Sequence, residues 1–206
     1  METIHLHLLD IRSARGREAD ISSLLPASRV EKAGRFIRTD DRLRSLCAGY
    51  LLTRYVGDYT VDGNGKPRSG NCFFSLSHAG RFAGIAVGYS GELGLDFEPA
   101  ETDKNTEKLS DYCLNDAERL VFPPDAFLKA FVAKESLAKA DGRGLRPPVR
   151  SIPALPLDGA VNYETKTYYR HSFERNGYLF SIAREGNDFA VETDEIEVDL
   201  CCSNDC

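Results

Sequence analysis

Three sets of titratable side chains have the types and spacing to do chemistry. The first lies in Glu92-Leu93-Gly94-Leu95-Asp96-Phe97-Glu98. Apolar residues at 93, 95 and 97 alternate with polar ones, the period of a half-buried strand. Leu93, Leu95 and Phe97 then face a core, while Asp96 and Glu98 project together from the other face. Two carboxylates that close repel each other, so both stay ionised only beside positive charge, and all-oxygen donors suit a hard cation such as Mg²⁺. Taken alone, the pair reads first as a solvated acidic face, so its neighbours must decide.

The second set surrounds Ser77 and His78, at the end of a predicted strand that begins at Phe73 and runs into the turn Ala79-Gly80, with Arg81 beyond. Just upstream, Lys66 closes a loop dense in turn formers, Asp62-Gly63-Asn64-Gly65-Lys66-Pro67. A lone histidine is usually structural; one at a strand end near lysine, arginine and paired carboxylates is a functional candidate. The third set lies on a helix predicted to open at Pro124 or Asp125 and to stop at Asp141-Gly142, in which Phe131, Glu135 and Lys139 share a face. Without context that is an exposed Glu–Lys pair beside a core aromatic. Two further features add charge. Arg29, Lys32 and Arg35 recur every three residues on a basic helical segment from Ser28 to Phe36, an edge that either meets an anion or is solvated. Asn115 caps a short helix that carries Glu118.

The elements that must position these groups follow from periodicity. Ile4, Leu6 and Leu8 alternate with His5 and His7 as a first strand. A helix capped at Thr39 or Asp40 carries the apolar stripe Leu43, Leu46, Cys47, Tyr50, Leu51 and Tyr55, with Arg42 and Arg44 off that stripe. Short strands at 73–78, 82–87 and 92–98, joined by tight turns, predict an antiparallel meander that brings His78 toward Asp96 and Glu98. Past the breakers Pro147-Pro148 and Pro153 to Pro156, strands are predicted near 163–171, 178–183 and 189–193, the first two joined by an Asn176-Gly177 hairpin. The class is α+β, in two similar pseudo-repeated halves, each an antiparallel sheet packed with helices. The expected boundaries are an N-terminal half over 1–98, a C-terminal half over 99–199 and a disordered tail over 200–206. The acidic stretch from Asp194 to Asp205 is expected to leave the fold.

Composition narrows the function. The chain has 206 residues, 42% hydrophobic and 28% charged, enough for one large domain or two small ones. No run of about 18 apolar residues offers a membrane span, and residues 1–15 carry charges and histidines where a signal peptide needs an apolar stretch, so a cytoplasmic location without membrane contact is expected. A net charge of −6 argues against nucleic acid as a partner. Cys47, Cys72 and Cys113 stand singly and read as small core residues or inert thiols, while Cys201, Cys202 and Cys206 fall in the tail.

Three stretches in order, Gly65-Lys66-Pro67, then Phe74-Ser75-Leu76-Ser77-His78-Ala79-Gly80 with Gly94-Leu95-Asp96-Phe97-Glu98, then Lys134-Glu135-Ser136-Leu137-Ala138-Lys139 with Gly142-Arg143-Gly144-Leu145, resemble the motifs of the Sfp-type 4′-phosphopantetheinyl transferases. Arg29, Lys32, Arg35-Phe36 and Arg44-Ser45-Leu46 are similar to that family's N-terminal half, so the resemblance covers roughly 25–150. It implies transfer of 4′-phosphopantetheine from coenzyme A to a serine of an acyl or peptidyl carrier protein, with release of 3′,5′-ADP, by a monomer. It implies Mg²⁺ held by Asp96, Glu98 and Glu135, with Glu135 or Glu118 taking the serine proton and Lys139 assisting. It implies contacts to coenzyme A from Arg29, Lys32, Arg44, Lys66, Ser77, His78 and Lys139, with Arg29 and Lys32 at the 3′-phosphate end. Phe131 stands where the family usually has tryptophan, and the C-terminal half is short where the carrier would be met. The alternatives are a non-catalytic coenzyme A or nucleotide-binding module and a metal-dependent phosphohydrolase.

Overall fold

The computed structural model describes residues 1–101, 106–144 and 146–199. Strand β1 (Glu2–Asp10) leads through three helices, α1 (Glu18–Ser23), α2 (Ala27–Gly34) and α3 (Thr39–Tyr55), to a small hairpin of β2 (Thr60–Val61) and β3 (Pro67–Arg68). Strands β4 (Phe73–Ala79), β5 (Phe82–Gly88) and β6 (Leu93–Pro99) follow. Next come α4 (Thr106–Cys113), α5 (Asp116–Val121) and α6 (Phe127–Asp141), then β7 (Gly159–Tyr163), β8 (Lys166–Arg175), β9 (Tyr178–Glu185) and β10 (Phe189–Ile196). Two four-stranded sheets form, ordered β10-β1-β5-β4 and β6-β9-β8-β7. The α+β class with sheets packed against helices is as expected, and the pairings within the two sheets are antiparallel except that of β1 with β10.

Alternation explains how the layers stack. On β5, Phe82 and Ala86 point into a core shared with Leu93, Leu95 and Phe97 of β6 and Phe180 and Ile182 of β9, so the two sheets pack face to face. The intervening Ala83, Ile85 and Val87 point the other way, onto the buried stripe Leu43, Leu46, Cys47, Tyr50 and Leu51 of α3. The outer face of the second sheet is covered by α6, through Leu137, Ala138 and Ala140 against Ala183 and Tyr168. The polar face of β6 therefore meets a helix where solvent was expected.

Three sequence expectations change here. The meander stops at β5, whose two edges are taken by β4 and β1, so β6 pairs antiparallel with β9 in the other sheet. The acidic C-terminal stretch stays in the fold as far as it is described. β10 runs parallel to β1 down to Leu9↔Ile196, Val198 is buried, and Asp199 exchanges hydrogen bonds with the Tyr50 hydroxyl. The strand expected at 163–171 is two strands, β7 and β8, turning at Glu164 with φ 54°. Relative to a boundary at 98, each half lends a strand to the other's sheet, β6 to the second and β10 to the first. The tail expected over 200–206, with Cys201, Cys202 and Cys206, lies outside the described residues.

Candidate active site

The edge strands of the two sheets, β4 and β6, meet at a seam. Ser75 and Ser77, two apart on β4 and both buried, point at β6. The Ser75 hydroxyl accepts from Leu95 N at 2.9 Å, and the Ser77 hydroxyl donates to Asp96 Oδ1 at 2.8 Å. Helix α6 closes on the same place because Gly94 has no side chain; a Cβ there would run into the Ser136 carbonyl and the Ala140 amide. That approach brings Lys139 to the strand. Its ammonium donates to Asp96 Oδ1 at 2.7 Å, to Leu95 O at 2.9 Å and to Ser77 Oγ at 3.2 Å.

Glu135, one turn earlier on α6, lines the same cleft as Asp96, Glu98 and Lys139. Burial first, then the neighbouring Asp96, push its carboxyl above the usual carboxylate range, with Lys139 acting against them. Carboxylates crowded this way, all offering oxygen, fit a hard dication in kind. The described residues show no cluster of three histidine, cysteine or carboxylate side chains arranged as a formed metal shell. Lys139 instead supplies the positive charge at Asp96.

The cleft extends from these carboxylates for about 790 Å³ to Arg29 and Lys32 of α2, passing Phe131, His78 and the β2–β3 hairpin. The buried Nε of Arg29 has no hydrogen-bond partner, a donor left over on a cationic wall. Lys32 is pushed below the ordinary lysine value by the surrounding protein and by Arg29. Loss of water around the His78 ring, followed by the charges of Lys139, Arg44 and Lys32, pushes the imidazole down. One end of the cleft thus offers cations, the other carboxylates with a lysine between them.

Three expected site residues are engaged elsewhere. Arg44 does not line the cleft; it donates to Gly80 O and pairs with Asp41. Lys66 lines it, but its ammonium donates to Glu92 Oε2 at 2.8 Å and to Leu93 O and Ala140 O, each at 3.1 Å. Glu118 is buried away from the cleft lining. Its carboxylate closes a capping box with Asn115, accepts from Ala154 N at 2.8 Å and pairs with the fully buried Lys134 at 2.7 Å. Leu145 lies outside the described residues. Sequence reading passed over Ser75 and Glu92, although period two already put Ser75 beside Ser77 and Glu92 beside Asp96.

Residues 92–192 match the family model described as the 4′-phosphopantetheinyl transferase superfamily. The chain is similar to the 4′-phosphopantetheinyl transferase HetI of a Nostoc species, 26% identical over 167 residues that cover 70% of each chain. It is 30% identical to enterobactin synthase component D of Salmonella typhimurium over 145 residues, 66% of this chain and 61% of the relative. It is 24% identical to the 4′-phosphopantetheinyl transferase ffp of Bacillus subtilis over 196 residues, 82% of this chain and 86% of the relative.

Proposed function

Because this chain belongs to the 4′-phosphopantetheinyl transferase superfamily, we propose that it transfers 4′-phosphopantetheine from coenzyme A to a serine of an acyl or peptidyl carrier protein, releasing 3′,5′-ADP. The observation that supports this most is the single cleft with Arg29 and Lys32 at one end and Asp96, Glu98, Glu135 and Lys139 at the other. A substrate with a phosphate at one end and a pyrophosphate further along meets cations at both.

In this reading Arg29 and Lys32, which line that end of the cleft, grip the 3′-phosphate. Lys139, Ser77 and His78 face the pyrophosphate; a dication at Asp96 would take the place of the ammonium there and release that N–H of Lys139 for a phosphate oxygen. Asp96, Glu98 and Glu135 would hold Mg²⁺, which when bound neutralises pyrophosphate oxygens as charge develops. The serine oxygen forms a bond to the phosphorus that carries pantetheine, and the bond from that phosphorus to the bridging oxygen breaks, leaving with 3′,5′-ADP. Glu135 takes the serine proton. Of the two carboxylates expected for that role it is the one that lines the cleft. Phe131 lines the cleft beside it and offers an aromatic face to the pantetheine chain. Work as a monomer in the cytoplasm is part of the same proposal.

The test is to incubate the protein with coenzyme A, Mg²⁺ and an apo carrier protein and to weigh the carrier. Gain of one phosphopantetheine supports transfer. Cleavage of coenzyme A without a change in the carrier points to a phosphohydrolase, and binding without either product points to a non-catalytic module.

A further inference from the structure

The β2–β3 hairpin forms a wall of the cleft through Tyr59, Val61, Asn64, Gly65, Lys66 and Pro67. Two short strands cannot hold such a wall in place alone. What holds it is Glu92, the residue before β6. One carboxylate oxygen accepts from Lys66 Nζ at 2.8 Å and the other accepts from Arg68, so one side chain grips both cations of the returning strand. From there the chain of bonds reaches the loop tip. Arg68 Nε donates to Asp62 Oδ2 at 2.7 Å, and Asp62 Oδ1 accepts the backbone amides of Asn64 and Lys66 at 2.9 and 3.0 Å.

Lys66 also ties the wall to α6. Its donation to Ala140 O satisfies a carbonyl at the helix C-terminus, where a cation is favoured. Gly142 ends that helix with φ 86° and leaves room for the two cations; a Cβ would lie 3.3 Å from Arg68 and 3.5 Å from Lys66. An ammonium has three N–H donors, and those of Lys66 are matched by three protein acceptors. Little is left for a phosphate.

We propose that Glu92 is a positioning residue for the transfer: acting through Lys66 and Arg68, it holds the hairpin as a cleft wall, and Lys66 is a tether in that wall rather than a phosphate contact. The proposal rests on the transferase reading, and its test separates the two. Hydrogen exchange of the ligand-free protein reads the wall without any activity: Glu92→Ala should speed exchange across residues 57–72 and leave β9 unchanged. In the transfer assay the same variant should raise the coenzyme A KM roughly tenfold, the scale of one lost charge-assisted hydrogen bond, while kcat is kept. Glu92→Gln, which keeps the acceptor and loses the charge, should fall between. If Glu92→Ala does not fold, Arg68→Ala carries the same two readouts. Unchanged exchange over 57–72, or a fall in kcat at constant KM, overturns the proposal. Absence of transfer by the unsubstituted protein would strike the functional reading and leave the exchange result standing.

Discussion

Lys139 of α6 and Asp96 of β6 are joined beside the seam, Nζ to Oδ1 at 2.7 Å. The lysine already provides the countercharge that paired carboxylates need, so a dication at Asp96 must share or displace it. One lysine does not balance Asp96, Glu98 and Glu135 together, and in the transferase reading these three hold a dication, so transfer should require Mg²⁺ or Mn²⁺, stop in excess EDTA and resume when the metal is restored. Asp96→Ala should lower kcat by about 10²-fold or more, the scale for losing a group that stabilises transition-state charge. Steady-state kinetics check both, and full turnover in EDTA would refute the metal.

At the opposite end of the cleft, Lys32→Ala should act in another way. A grip on a phosphate remote from the reacting atoms is equal in ground and transition states, so its loss raises KM with little effect on kcat. The defect should be masked at high salt, since Lys32 is exposed and its field is screened. Dephospho-coenzyme A, which lacks the phosphate, should show the same raised KM in both proteins. If the unsubstituted enzyme used it as well as coenzyme A, the basic stripe of α2 would be a solvated face.

Glu118 should prove structural. It is buried, and its oxygens are taken by Lys134, Asn115 N and Ala154 N. Glu118→Gln leaves the Lys134 ammonium buried without its counterion and should destabilise the fold by roughly 3 kcal/mol. Turnover of the folded variant should stay far above the ~10²-fold loss that removal of a general base brings. Urea unfolding and kcat, measured together, decide the matter: a stable variant with little activity would return the base role to Glu118.

Local pattern carried much of the site. The alternation of β6, the strand end at Ser77 and His78, and the Phe131, Glu135, Lys139 face were legible because each depends on a period of two or of nearly four. What escaped depends on partners distant in sequence. Nothing near Asp96 shows that Gly94 will let α6 cover it, because that contact joins strand to helix across some forty residues. Capping chemistry placed Glu118 at a helix start, but only the packed fold shows Lys134 buried against it. The β7–β8 turn went unseen because Glu164 takes a positive φ without the glycine that usually signals one. The acidic stretch from Asp194 reads as leaving the fold; in the structure Asp194, with Glu192 just before it, faces His7 and His5 across the parallel pairing of β10 with β1.

That pairing gives a pH dependence of stability. The His7 ring stacks on Tyr55, centroids 3.7 Å apart and planes 6° from parallel. Burial is the main cause that pushes its pKa down, His5 and Arg54 add to it, and Asp194 opposes. A histidine lowered on folding binds its proton more readily in the unfolded chain. Its contribution is therefore complete above the unfolded value of about 6.5, and it is lost as the pH falls from there through the lower folded value. His78 is shifted in the same direction, so only the difference between variants isolates His7. The unsubstituted protein should lose urea resistance between pH 7.5 and 5.5, and His7→Gln, which cannot take up the proton, should lose less. Equal losses in the two proteins would mean that the stacked imidazole stays neutral at no cost to the fold, and the acid sensitivity would have to be sought in other groups.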